Sequence, residues 1–208
     1  MTVKRLRERQ AEATRDLLVA TARGQFTDHG YAATTIEDIV QRAGVAKGAL
    51  YHHFSGKDAL FRAVYEALQA DVVSTVMAAA LAVPEPWAAV RAGLSAFLDA
   101  CLDPSFQRIV ILESGSVLQP DVREDGIALA ELPMLRTVLA PLVATEVLPG
   151  VSVEPLAYIA LGGLFGAALY IARSADPNAA RRESDAVLDA LVGGLRAATS
   201  AGGDSDRG

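Results

Sequence analysis

Residues 34–64 read TTIEDIVQRAGVAKGALYHHFSGKDALFRAV, and the punctuation of this stretch decides the fold. Thr34 and Thr35 each have an acid three residues on, Glu37 and Asp38, so either can open a helix through a capping box. Ile36, Ile39, Val40 and Ala43 follow at helical spacing, and Gly44 ends the run. Val45 to His53 forms a second short helix that carries Leu50 inward. Ser55-Gly56-Lys57-Asp58 reads as another capping box. It starts a long helix with Leu60, Phe61, Val64, Leu68, Val72 and Val76 on one side, ending before Pro84.

Upstream, Leu18, Ala22 and Phe26 step by four, and Asp28-His29-Gly30 supplies a polar end with a glycine suited to a left-handed stop. Three short helices and a long one, with a glycine turn between the second and third, make a helix-turn-helix. Helix two buries Ile39 and Val40. Helix three turns Ala46, Lys47, Ala49 and His53 outward, with Tyr51 at the edge, as a major-groove reader requires. Two short helices that merely pack together would share this pattern, so the motif needs its surroundings.

Those surroundings agree. The 208 residues are 51% hydrophobic but only 6% aromatic, with alanine and leucine dominant, a mixture that favours helices over sheets. The net charge of −6 conceals an asymmetry. Residues 1–62 carry ten Lys/Arg against seven Asp/Glu, whereas residues 63–208 carry nine against eighteen. A phosphate-seeking surface therefore belongs at the N-terminal end. The opening MTVKRLRERQ leads into no apolar segment, so no secretory signal is read there.

Beyond Pro86, the pattern predicts helices over Trp87–Leu102, from Ser105 (as cap) to about Val117, over Glu154–Arg173 and over Ala179–Ala198. Residues 119–126 read as a polar turn. Ala128–Leu148 reads as a helix interrupted by Pro133 and Pro141. The expectation is an all-α chain of nine or so helices, with a disordered tail at 201–208.

The stretch 34–64, with Gly30-Tyr31 ahead of it, resembles the N-terminal signature of the TetR (tetracycline repressor-like) family of transcriptional regulators. The markers are Thr34-Thr35, Ile39, Ala43-Gly44-Val45, Lys47-Gly48, Leu50-Tyr51, His53-Phe54, Lys57 and Leu60. The resemblance covers residues 12–65. It implies a DNA-binding head over residues 1–56 with a flexible basic arm at 1–9 (Lys4, Arg5, Arg7 and Arg9), and a ligand-binding, dimerising body over 57–200. It further implies that Thr35 caps helix two beside a phosphate and that Lys47 reads bases or phosphates. Gly48 lets the backbone approach, and Tyr51, His53 and Lys57 meet phosphates. Ala46 and Ala49 depart from relatives that carry hydroxyl or amide groups there. Ala49 offers only apolar contact, such as to a thymine methyl. His52 reads as a solvated or packing residue.

For the body, an effector pocket is sought among Trp87, Phe97, Cys101, Phe106, Glu113, Met134, Tyr158 and Phe165, most of them large apolar side chains. Sparse cations point to a neutral or cationic hydrophobic effector. Gly162, Gly163 and Gly166 permit close helix approach, and Leu188, Leu191, Val192 and Leu195 form a stripe that a lone surface helix would not expose. These are read as a homodimer interface. All three histidines lie in the head, so Cys101 has no histidine partner in its own domain, and no nucleophile elbow, phosphate loop, dinucleotide fingerprint or metal motif is present. The expectation is a cytoplasmic regulator that binds double-stranded DNA and is not an enzyme, with no cofactor and no metal. A competing reading comes from Pro155–Ala172, eighteen uncharged residues, which is long enough to approach a bilayer span. It would make the chain a membrane-associated protein with a cytoplasmic helix-turn-helix. Three glycines, two tyrosines and the lack of a flanking basic cluster weigh against it.

Overall fold

The computed structural model describes residues 3–118, 120–144, 148 and 150–202, side chains at 3–4, 120–130 and 198–202 excepted. Among the described residues every regular element is a helix. In chain order these are α1 (Val3–Ala33), α2 (Ile36–Ala43), α3 (Lys47–His53), α4 (Lys57–Leu81) and α5 (Pro86–Ala100). A π-helix (Phe106–Glu113) follows, then α6 (Ser114–Val117), α7 (Pro120–Ala144), α8 (Val153–Arg173) and α9 (Pro177–Gly202). They divide into two compact units. Met1–Leu68 joins Pro104–Arg123 in the head, and Gln69–Asp103 joins Glu124–Gly208 in the body. The division falls inside α4.

The head is built on local chemistry. Thr35 is the cap of α2: its Oγ1 accepts from the Asp38 N–H at 3.1 Å, and Asp38 accepts from the Thr35 N–H at 3.0 Å. Thr34, the other candidate, is buried and donates to the Gly30 carbonyl at 2.7 Å. At the far end Gly44 adopts φ 68° and ψ 29°. Its N–H donates to Gln41 and the Val45 N–H to Val40, the paired bonds of a Schellman stop. Leu18, Ala22, Phe26, Ile39, Leu50, Leu60, Phe61 and Val64 are fully buried. The rings of Phe26, Tyr31 and Phe61 lie within 6 Å of one another. Because Leu60, Phe61 and Val64 fill this core, the start of α4 belongs to the head.

Several expectations are corrected. Residues 3–9, read as an arm, are helical. Gly30 has positive φ (81°), but ψ is 166°, so it kinks the end of α1 instead of closing it left-handed. The helix predicted from Ser105 is π-wound over Phe106–Glu113, and Ser105 makes no side-chain cap bond. Residues 119–126, read as a polar turn, fall largely within α7, where Pro120 to Asp125 are helical; residue 119 lies outside the described set. Pro133 and Pro141 sit inside α7 without interrupting it. A proline forfeits one ladder bond; here the Pro133 carbonyl accepts from the Thr137 hydroxyl at 2.9 Å. The tail expectation falls on residues 201–208, of which 201 and 202 extend α9 and the rest lie outside the described residues.

In the body, Glu85 caps α5 by accepting from Ala88 N–H, with Pro86 at the first helical position. Arg91 of α5 pairs with Asp185 and Asp189 of α9, and Arg181 of α9 pairs with Asp99. Arg136 of α7 grips Glu154 of α8 through two bonds, at 2.8 and 2.6 Å. The core consists of Val76, Trp87, Val90, Leu132, Met134, Leu135, Leu139, Leu142, Leu148, Ala157 and Leu164. Both α4 and α8 are long and apolar enough to cross a membrane by composition alone. Yet α8 buries Ala157, Leu164, Ala168 and Ile171 within the protein.

Candidate nucleic-acid interface and effector cavity

α3 presents Lys47, Gly48 and Tyr51 to solvent, with Ala49 and His53 half-exposed, while Leu50 anchors it from below. Ala46, at its N-terminus, offers no side-chain cap. Two basic groups have partners that the sequence did not disclose. Lys47 Nζ bonds Glu37 at the surface and lies 6.0 Å from the Tyr51 ring centroid. That pairing raises the Lys47 pKa and lowers that of Glu37, the hydrogen bond being the larger cause in each. An exposed pair of this kind is worth little, so a DNA phosphate or base can displace Glu37 at small cost.

Lys57 is more constrained. Its ammonium donates to the carbonyls of Tyr31 at 2.8 Å and Thr34 at 2.9 Å, and sits 4.1 Å from the Tyr31 ring centroid. It thereby ties the start of α4 to the α1–α2 joint. Tyr31 in turn donates its hydroxyl to Asp58, so the carboxylate expected to complete a capping box with Ser55 serves a distant phenol. Burial, then this bond, pushes the Tyr31 pKa up to about 12. Lys57→Met keeps the apolar stem and removes the charge-assisted bonds. The expected loss of stability is about 2 kcal/mol, since hydrogen bonds to charged groups contribute about 1.5–3 kcal/mol. A urea unfolding midpoint unchanged from the parent chain would contradict this anchoring role.

Glu113, sought as a pocket residue, belongs to the head. Its carboxylate accepts from the Tyr31 N–H at 2.9 Å and from Arg108 at 3.2 Å, while Arg108 donates to the carbonyls of Thr27 and Asp28. The π-helix is thus latched to the kinked end of α1. Phe106 is buried in the same element.

The cavity lies wholly in the body and has a volume of about 360 Å³. Trp87, Val90, Gly93, Leu94 and Phe97 of α5 line it, with Met134, Leu135, Val138, Leu139 and Leu142 of α7. Val76 and Leu148 complete the inner wall. α8 contributes Leu156, Ile159, Ala160, Gly163 and Leu164, and α9 contributes Leu188, Leu191, Val192 and Leu195. No acidic or basic side chain is among them. Of the pocket candidates, Trp87, Phe97 and Met134 line the cavity; Cys101, Phe106, Glu113, Tyr158 and Phe165 do not. Cys101 is buried, which pushes its thiol pKa up to about 12 and keeps it protonated at neutral pH. Tyr158 and Phe165 are exposed on α8. Gly162 and Gly166 face open space; Gly163, Leu188, Leu191, Val192 and Leu195, expected at a dimer interface, line the cavity.

Sequence reasoning missed Glu131. It lies largely buried on α7, accepts from the buried Gln69 amide at 2.6 Å, and leaves Oε2 buried without a bond. Burial raises its pKa to about 7, against the weaker opposing effect of Gln69. The folded state therefore holds this proton more tightly than the unfolded chain. The associated stability is fully present below the unfolded value of about 4.3. It is lost as pH rises through about 7. The expected decline is about 3 kcal/mol between pH 5 and 8, from about 1.36 kcal/mol per pKa unit. Glu131→Gln should flatten that part of the profile; an equally steep decline in the variant would assign it to other groups.

A positioned recognition helix over a latched three-helix head, followed in the same chain by a helical body with an apolar cavity, defines a helix-turn-helix regulator. Residues 18–64 match the model of the bacterial regulatory proteins of the tetR family, and residues 87–195 match the tetracyclin repressor-like C-terminal domain. The chain belongs to the TetR family of transcriptional regulators. A TetR-family regulator from Pectobacterium atrosepticum is 32% identical and superposes with a TM-score of 0.77, covering 89% of this chain and 95% of that one. The transcriptional activator FasR of Mycolicibacterium smegmatis is 35% identical over 108 residues, 52% of this chain and 49% of its own. The repressor AcnR of Corynebacterium diphtheriae is 36% identical over 103 residues, 45% of this chain and 53% of its own. The chain spans about half the length of these curated relatives. The fold shared with the Pectobacterium regulator extends across most of the chain, and a bilayer-spanning role for 155–172 is not favoured.

Proposed function

We propose that this chain is a cytoplasmic, homodimeric repressor that leaves its operator when a small, neutral, hydrophobic effector enters the body. The observation that carries the reading is a hydrocarbon-lined cavity in the same chain as a helix-turn-helix head. A cationic effector is less suited, because no carboxylate lines the wall to offset its desolvation. On the DNA side, Thr35, Tyr51, His53 and the remaining N–H of the Lys57 ammonium meet phosphates. Lys47 reads a base edge, and Gly48 and Ala49 allow close approach. Two half-sites a helical turn apart require two heads, hence the homodimer. The relatives include both an activator and a repressor, so the sign of regulation needs its own measurement.

Footprinting of genomic sites, with transcript levels in a strain lacking the chain, tests the function. Transcripts beside the bound sites should rise; a fall would make the protein an activator. Lys47→Ala on a footprinted operator separates its two candidate roles. If Lys47 reads a base, the variant loses about 1–3 kcal/mol on the operator and much less on random DNA. Equal losses on both would make Lys47 a phosphate contact.

A further inference from the structure

The recognition surface carries a carboxylate as well as a cation. Glu37, in the first turn of α2, and Lys47, the first residue of α3, meet through a bond from Lys47 Nζ to Glu37 Oε1. Both side chains stay open to solvent, 64% and 52% exposed, and the ammonium lies 6.0 Å from the Tyr51 ring centroid. The adjacent acid, Asp38, is occupied by the N–H and hydroxyl of Thr35 in the α2 cap. Glu37 is therefore the one of the two that reaches α3. The bond to Lys47 holds the Glu37 pKa below the usual carboxylate range, so at neutral pH this group is ionised and only accepts.

We propose that Glu37 is a second base-reading residue, and that Lys47 and Glu37 read one G·C pair together. The ammonium donates to O6 and N7 of guanine while the carboxylate accepts from N4 of the paired cytosine. The inference rests on the reading of Lys47 as a base contact and adds what the group beside it recognises. An ammonium has three N–H donors; one holds Glu37 and two remain. In the major groove a G·C pair presents two adjacent acceptors and then a donor, and carboxylates accept from cytosine N4. Guanine O6 and cytosine N4 are bonded to each other, so they stand about 2.9 Å apart. A salt-bridged ammonium and carboxylate share that spacing with donor and acceptor reversed, so the two sets match without parting Lys47 from Glu37. An A·T pair places its donor, adenine N6, between two separated acceptors, and one ammonium N–H is left over. A phosphate satisfies the ammonium but sets the Glu37 carboxylate against a second negative charge. The same carboxylate thus rewards one base pair and disfavours random DNA.

The test starts from duplexes that the full chain selects out of a randomised library. Each cytosine of the selected half-site is then replaced in turn by N4-methylcytosine. This base still pairs with guanine but points a methyl group, instead of an amino hydrogen, into the major groove. At one position per half-site the change should weaken binding by the parent chain at least about five-fold, the low end for a lost base contact. It should leave binding by Glu37→Ala unchanged. Glu37→Ala should also bind random duplex more tightly than the parent chain, because a carboxylate facing phosphates is gone. The modified duplexes probe the parent chain directly, so the result does not hang on the folding of a variant. An invariant A·T pair with no sensitive cytosine would overturn the inference. So would equal losses in the parent chain and Glu37→Ala, which would mark crowding by the methyl group. In either case, a Lys47→Ala chain that loses more on the selected duplex than on random DNA leaves the Lys47 reading standing. Equal losses by Lys47→Ala on both would overturn the two readings together.

Discussion

Alanine at position 30 is expected to cost the head about 4 kcal/mol, a large part of a typical domain stability of about 5–15 kcal/mol. Gly30 occupies φ 81°, ψ 166°, a region essentially reserved for glycine, where a side chain adds about 1–3 kcal/mol of strain. The new Cβ also lands 2.7 Å from Arg108 Nη2 and 2.7 Å from Glu113 Oε1. Both are ends of flexible side chains and can withdraw, but withdrawal breaks the latch to Thr27, Asp28 and Tyr31. Urea unfolding of the full chain gives the total. Repeating Gly30→Ala in a Glu113→Ala background separates strain from the lost latch, since sites in contact are not additive. A total below about 1 kcal/mol would mean that the kink relaxes freely and that the latch contributes little.

Leu191→Asp should abolish operator binding while the head stays folded. In a single copy Leu191 is 59% exposed, so a carboxylate there remains largely hydrated. Between two copies it would be buried without a partner, which opposes association strongly. Losing the second head forfeits the gain from simultaneous engagement of two half-sites, on the order of 10²–10⁴-fold. Sedimentation and an operator titration on the same sample check both halves. A dimeric Leu191→Asp chain with normal affinity would place the interface on another face.

The head was legible because its punctuation is local. Thr35 with Asp38 and the stop at Gly44 act within a few residues, and Leu50 follows from spacing alone. What that punctuation did not disclose was long-range. The bonds from Lys57 to Tyr31 and Thr34, 26 and 23 residues away, leave one ammonium N–H for a phosphate. Asp58 and Glu113 were misplaced for the same reason, their partners lying 27 and 82 residues off. The π-winding of 106–113 has no residue signature comparable to a cap. In the body, periodicity identified apolar faces but could not say which side chains border a void. Trp87, Phe97 and Met134 do, while Cys101, just one turn beyond Phe97, points into packed core. Glu131 escaped notice because one acid in a long helix reads as a solvated face.

The hydrocarbon wall has a consequence for what the body can discriminate. With no charged side chain around it, the cavity can reward a molecule mainly for filling space, at about 0.8 kcal/mol per methylene enclosed. Affinity along a homologous series of alkyl compounds should climb by roughly four-fold per carbon on that figure and stop abruptly when the chain outgrows the space. A hydroxylated isostere gains no bond from the wall, and such walls reject hydroxyls only weakly. Gly93 stands on that wall beside α4, where an added methyl would lie 3.5 Å from Val76 Cγ1, an ordinary packing distance. Such a wall works as a ruler, sorting molecules by carbon count more sharply than by functional group.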